Sequence, residues 1–387
     1  MVRADSKLVQ TARRIGVDFA GPNATSVDVE GRFPREAIDA IKKERLLSAF
    51  VPKELGGLGC TMLDLAAICE ALGEYCSASA MVFAMHQIQV ACLVRHGMSS
   101  VWFKQYMRDL ADKQSLIASV TSEVGVGGDM RSSVSSLTRD GDAIVLNKDA
   151  TTISYGAHAD DLLITTRATA EAPASDQILV LVRKDGYTLE QTSQWNTMGM
   201  RGTCSPGFKV RSKGTAAQVL DTPFATIASH TMVPFSHIVW SSLWTGIATA
   251  AVTRAQTFVR GEARKKPGST PPTALRLVEA ANALQSMRNN VHAVARECDD
   301  LMTRETEALS SIPFALKMNS LKIVTSQHVV DIVHRALLIC GIAAYKNDTP
   351  FSMGRLLRDA HSAALMVGND RILATNAQLA LVIKDSL

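Results

Sequence analysis

Apolar residues recur at helical spacing in the first and last parts of the chain and at strand spacing between them. Over 62–72 they fall at Leu63, Leu65, Ala66, Ala67, Ile68 and Leu72, a stripe that a helix buries along one side. Asp64 near its start and Gly73 near its end are residue types that begin and end helices. The pattern predicts helices over 35–44 (behind Pro34), 62–75, 78–96 and 100–111. From about 115 the period shortens. β-prone runs at 115–120, 143–146, 162–166, 178–182 and 207–210 are separated by turn signals such as Arg139-Asp140-Gly141-Asp142 and Lys184-Asp185-Gly186. Short strands at that spacing build a barrel or sandwich. Long helical segments return at 239–260, 272–303, 313–340 and 353–366, enough for a bundle of four helices. The stretch 265–272, with Gly268 and prolines at 267, 271 and 272, breaks them.

Helices, then strands, then helices exclude a doubly wound sheet, which needs the two to alternate. The expected fold is α+β: an N-terminal helical domain (1–114), a middle β-barrel (115–222) and a C-terminal four-helix bundle (223–387). Function is expected where these parts meet.

Composition narrows the classes. With 47% hydrophobic and 20% charged residues the chain is not intrinsically disordered. The balance of 41 basic against 37 acidic residues, net +4, is too even for a nucleic-acid binder. Apolar runs, of which 243–252 is the longest candidate, break before the roughly 18 residues that span a bilayer, so no membrane span is expected. The first sixteen residues carry Arg3, Asp5, Lys7, Arg13 and Arg14 without an apolar core, so no secretory signal is expected. The seven cysteines are odd in number and lack a CxxC pair. That fits buried thiols in a reducing, cytoplasmic compartment.

One run stands out for chemistry: Glu123-Val124-Gly125-Val126-Gly127-Gly128-Asp129, directly after a predicted strand. Glycines there let the backbone approach a ligand and free its N–H groups as donors. As a dinucleotide fingerprint it fails, because strand-like sequence rather than a helix follows.

The stretch Thr121-Ser122-Glu123-Val124-Gly125-Val126-Gly127-Gly128-Asp129-Met130 resembles the VTEPGAGSDV signature of the acyl-CoA dehydrogenase family. Phe50-Val51-Pro52-Lys53-Glu54-Leu55-Gly56-Gly57-Leu58-Gly59, Met198-Gly199-Met200-Arg201-Gly202-Thr203 and Gly354-Arg355-Leu356-Leu357-Arg358-Asp359-Ala360 resemble three further segments of that family, in its order and spacing. The resemblance implies the same three-part plan, FAD between barrel and bundle, and a homo-oligomer, dimer or tetramer. It places Ser122, with Thr121 beside it, where the family has a flavin-bonding Thr, and Ser154 at a second such position. Thr152 takes the place of a Trp that packs on the flavin, which leaves a pocket either wider or filled by another side chain. Arg264, followed by Lys265 and Lys266, stands where an Arg reaches the FAD pyrophosphate of a neighbouring subunit. Gly341 is placed at a backbone contact to FAD, and Asn369 and Arg371 near its adenosine. Gly128 stands where the family often has a Ser near the thioester carrier.

The implied reaction removes a proton alpha to a thioester while a hydride leaves the beta carbon for the flavin. That step needs a base in contact with a weakly acidic C–H. The family's Glu, counted nine residues past Arg358, falls on Val367; its alternative on the first bundle helix falls on Ser236. Neither is a base. His361, Asp370 and His237 are candidate substitutes, with Asp370 also suited to cap a helix and His237 expected beside the substrate. The reading is an FAD-dependent α,β-oxidation of an acyl-CoA or acyl-carrier-protein thioester, with electrons passing to an electron-transfer flavoprotein or oxygen. The alternatives are a flavin-dependent monooxygenase on the same fold, which needs no carboxylate, or a non-catalytic member.

Overall fold

A computed structural model describes residues 6–383; Arg3 and Asp5, used in reading the N-terminus, lie outside them. The first part holds α1 (Lys7–Ile15), α2 (Gly21–Glu30), α3 (Arg35–Lys43), α4 (Met62–Gly73), α5 (Ser77–His96) and α6 (Val101–Lys113). The sequence reading has no helix before residue 35. Instead α1 runs into α2 through a widened π-turn over Gly16–Ala20. The Tyr75 ring packs there so closely that a Cβ on Gly16 would lie 2.2 Å from it. The predicted start of α4 is a capping box between Thr61 and Asp64. Half of the cap comes from elsewhere: the Asp299 carboxylate accepts from the Met62 and Leu63 N–H groups at 2.6 and 3.0 Å.

The middle part has β1 (Ile117–Val120), β2 (Leu137–Asp140), β3 (Ala143–Ala150), β4 (Asp161–Arg167), β5 (Gln177–Arg183), β6 (Tyr187–Gln191) and β7 (Phe208–Thr215). The predicted barrel is built as two sheets, ordered β1-β4-β5 and β2-β3-β7-β6. A bridge between Ser136 and Arg167 joins them. β2 and β6 escaped the sequence reading because both are edge strands that are mostly exposed, so neither carries a clean apolar alternation.

The last part holds α7 (Phe224–Ile227), α8 (Val233–Lys265), α9 (Ala274–Arg304), α10 (Ile312–Cys340), α11 (Ile342–Tyr345), α12 (Gly354–His361) and α13 (Asn369–Ala380). α4 crosses α8 backbone to backbone. A Cβ on Gly246 would lie 2.3 Å from the Glu70 carbonyl oxygen, and one on Gly73 would lie 2.5 Å from that of Leu243. The predicted helix 353–366 ends at His361, and α13 starts at Asn369 behind Gly368, which has no side-chain cap. Asp370 is therefore not a cap but an exposed first-turn residue.

Two of the recognised motifs turn out to lock the three parts together. Asp359, 3% exposed, accepts from the Ser77 hydroxyl and, at 2.6 Å, from the Met200 N–H. Arg358 donates to Asp28 at 2.9 Å and to the Met198 carbonyl at 2.8 Å. Gly199 is required there, since a Cβ would lie 2.2 Å from the Arg358 carbonyl oxygen. A buried carboxylate so bonded fixes the parts in one arrangement.

Among the described residues two helices, α5 and α10, are long and apolar enough to cross a membrane by length and composition. The run-counting of the sequence reading missed them because Ser, Gln and His interrupt each run without lowering the average far. The apolar window of α5 is 89% buried, and that helix is the core of its domain. All seven cysteines are free thiols, six of them buried.

Candidate active site at the barrel mouth

The loop leaving β1 and the loop leaving β3 form one wall. The Ser122 hydroxyl donates to the Thr152 carbonyl at 2.6 Å and accepts from the Thr152 N–H at 3.1 Å, which ties the two loops. Ser154 accepts from the Ser205 hydroxyl at 3.0 Å, and its own proton has no acceptor among the described residues. The Thr121 side chain makes no hydrogen bond among them and is half-buried.

The glycine-rich run arches away from this wall and is closed at its foot by Glu123. Its carboxylate, 5% exposed, accepts from the Ser133 hydroxyl at 2.7 Å and from the Val134 and Ser135 N–H groups. Lys148 Nζ lies 3.3 Å away and donates to the Thr165 carbonyl at 2.7 Å. Burial pushes the Glu123 carboxyl up, but the Lys148 charge and these donors outweigh it and hold the group below its usual value. Burial takes the Lys148 ammonium down to about 8 in spite of Glu123. Gly125, Gly127 and Gly128 have φ of 96, 58 and 78°, which only glycine adopts freely. The N–H groups of 125–128 carry no hydrogen bond within the described residues, and a Cβ on Gly127 would meet nothing within 4 Å.

The bundle supplies the facing wall. Arg371 donates to the Gly127 carbonyl at 2.8 Å and lies beside Gly128. Lys322, fully buried on α10, donates to the Val367 carbonyl at 3.1 Å and to Asn369 Oδ1 at 2.7 Å. His237 is buried on α8, with Nδ1 3.3 Å from the Ser236 hydroxyl, which itself donates to the Val233 carbonyl. Burial, with the Lys322 charge adding, drives His237 down to about 3, so it is a neutral imidazole at pH 7.

The structure thus gathers Ser122 with Thr152 in one wall, where Ser154 also stands, and sets Arg371 of α13 against the loop at Gly127 and Gly128. Asn369 meets Lys322. Arg264 is exposed near the far end of α8, about 42 Å along the helix from Ser236 at 1.5 Å per residue. Gly341 ends α10 with φ 58° and ψ −134°, and it too is exposed. No carboxylate stands at Val367 or Ser236; His361 and Asp370 are exposed.

Sequence reasoning assigned no role to Glu123, Lys148 or Lys322. The inward positions of β3 alternate as Ile144, Leu146, Lys148 and Ala150, so its register alone places Lys148 in the core, where it needs an acidic partner. Lys322 is flanked by Leu321, Ile323 and Val324 in an apolar helix, a signal of the same kind.

Comparison with known proteins agrees with this fold. The family described as acyl-CoA dehydrogenase, N-terminal domain, matches residues 4–114, and acyl-CoA dehydrogenase, C-terminal domain, matches 231–381. Cyclohex-1-ene-1-carbonyl-CoA dehydrogenase of Geobacter metallireducens is 23% identical over 365 residues, covering 93% of each chain. The probable FMNH2-dependent monooxygenase SfnC of Pseudomonas putida is 25% identical over 350 residues, 86% of this chain and 85% of its own. Among solved structures, FMN-bound TdsC from Paenibacillus sp. A11-2 superposes with a TM-score of 0.84 at 19% identity over 97% of each chain. From the order of its parts, the motifs that lock them and these matches at both ends, this chain belongs to the acyl-CoA dehydrogenase family.

Proposed function

We propose that the chain is a flavin-dependent oxidoreductase acting on an acyl thioester, carried by coenzyme A or an acyl carrier protein. The observation that carries the reading is the pair of hydroxyl-bearing barrel loops at Ser122, Thr152 and Ser154 beside a glycine-rich loop of unbonded N–H groups, which Arg371 of α13 ties to the bundle. These features suit a flavin. Ser154 keeps a proton to donate, the glycine arch leaves room for close approach, and 125–128 present donors of the kind that hold electron-rich edges and phosphates. When bound, the flavin would accept a hydride from the substrate or, reduced, activate oxygen.

The chain's own residues would act as follows. Ser122 and Thr152 fix the wall behind the ring system, and Thr152, small and exposed, leaves space beside it for substrate. His237 stays uncharged and lines the apolar side with Trp240, ring centroids 6.3 Å apart. Arg264, far along α8 from Ser236, would serve the same cofactor from a second copy in the homo-oligomer that the resemblance implies. The exposed Leu338, Ile342 and Tyr345 beside Gly341 offer an apolar face for it.

One observation favours a second reading. Proton removal alpha to a thioester needs a base, and both expected positions lack one; the side chains bonded at them are a buried ammonium at Val367 and a neutral imidazole at Ser236. A flavin-dependent monooxygenase would not need that base. The purified chain, loaded with FAD or FMN, is to be mixed without oxygen with a panel of acyl thioesters. Loss of the flavin's visible absorbance supports dehydrogenation. No bleaching by any thioester, with an oxygenated product once reduced flavin and oxygen are supplied, supports the second reading. A protein that takes up neither flavin refutes both.

A further inference from the structure

Lys322 is a cation taken fully out of water. Such a group needs an opposite charge or strong acceptors, and no carboxylate of the described residues stands within ion-pair distance of it. What holds it is the Val367 carbonyl and the Asn369 side chain, and Asn369 in turn donates to Ser326 Oγ at 3.0 Å. Val367 has φ 48°, a conformation that a β-branched residue adopts only when its surroundings impose it. Two residues past Asn369, Arg371 donates to the Gly127 carbonyl. A continuous line therefore runs from the buried amine through a strained turn and the start of α13 to the glycine-rich loop.

We propose that Lys322 is the positioning residue of that loop: its amine fixes the turn over 365–369, and through Arg371 the turn presets the backbone of 125–128. The inference rests on the reading that a flavin lies against this backbone. The groups around the amine are few. From α8 His237 faces it, uncharged; from α13 Asn369 is neutral, while Asp370 and Arg371 are exposed. No charge on α9 or α12 perturbs it, and burial alone lowers its pKa to about 8.

Two effects of pH then diverge. Above about 8 the amine loses its proton and its charge-assisted bonds become ordinary ones, so the turn loosens. The folded pKa lies below the unfolded value of 10.5, so over that interval the unfolded chain binds more protons and this group adds to global stability as pH rises. A lysine that only fills space would not separate the two.

The test is amide exchange of the full chain without flavin, corrected for intrinsic rates, between about pH 7 and about pH 9.5. Protection of 365–373 and of the bonded amides of Val124, Asp129 and Ser132 should fall about tenfold in the wild type, with no drop in melting temperature. Lys322→Met should show the loosened pattern at both pH values. Protection that is unchanged with pH, or that falls equally across α8 and α9, overturns the proposal, and the wild type alone decides it if the variant does not fold. Adding FAD separates the two readings: protection of 124–132 that responds to pH but not to FAD leaves the strut standing and removes the flavin site.

Discussion

Glu123→Gln removes one charge from the most enclosed ion pair in the barrel. The glutamine keeps the shape, but one of its two terminal atoms becomes an NH2 group. Oε1 accepts from the Ser135 N–H, and Oε2 from Ser133, Val134 and Lys148. Whichever way the amide turns, at least one buried N–H loses its acceptor, at roughly 1–3 kcal/mol. Lys148, 0% exposed at its side chain, loses its counter-charge and is left with neutral acceptors, the Thr165 oxygens first among them. Breaking a buried pair from one side costs about 3–5 kcal/mol, and we expect a loss in that range near pH 7, read by urea unfolding followed by tryptophan fluorescence. The deficit should depend on pH at both ends. Glu123, lowered in the fold, stabilises above its unfolded pKa of 4.5 and loses that as pH falls through its folded value. Lys148, lowered to about 8 from 10.5, adds stability as pH rises between those values, and it gains most once its partner is gone. The deficit should therefore shrink toward acid and toward about pH 9.5. Lys148→Met added to Glu123→Gln should recover a large part of it, since an apolar replacement leaves no buried charge. A deficit under about 1 kcal/mol, or one that does not change with pH, would refute the reasoning.

Ser122→Ala with Ser154→Ala should weaken flavin binding by about 2 kcal/mol, roughly thirtyfold, in a fluorescence titration; an unchanged Kd would remove the barrel mouth from the site. Gly246→Ala drives a methyl to 2.3 Å from the Glu70 carbonyl and should cost about 3 kcal/mol, seen as a lower melting temperature; a variant as stable as the wild type would contradict the close crossing of α4 and α8. Asp359→Asn leaves Arg355 without its buried counter-charge at 3.9 Å and disturbs the bonds to Ser77 and Met200. A loss of about 3 kcal/mol is expected, together with faster proteolysis between the parts. Intact resistance to protease would show that the lock lies elsewhere.

Much of the fold was legible before any coordinates. α3 to α6 and α8 to α10 lie within a few residues of the apolar stripes that predicted them, because a helix or strand with one buried face must repeat its apolar residues at its own period. The same reasoning was blind where that cause is absent. β2 and β6 bury little, and α1 and α2 are joined through a π-turn shaped by the distant Tyr75. The motif residues were legible as a family pattern, yet their work divides in a way the string does not show: 198–203 and 354–360 hold the domains together, while 121–129 and 367–371 meet at the barrel mouth.

The sequence by itself determined the helices α3 to α6 and α8 to α10, the strands β1, β3, β4, β5 and β7, the order of the three parts, and the absence of a carboxylate at Val367 and Ser236. The tertiary structure alone decided which polar groups meet. Asp299 caps a helix 237 residues away, Glu123 finds Lys148 across the barrel, and Lys322 finds the turn at Val367. Periodicity records only whether a side chain faces inward. The partner that a buried charge meets there is set by how separate elements pack, and that information is spread over contacts no local window contains.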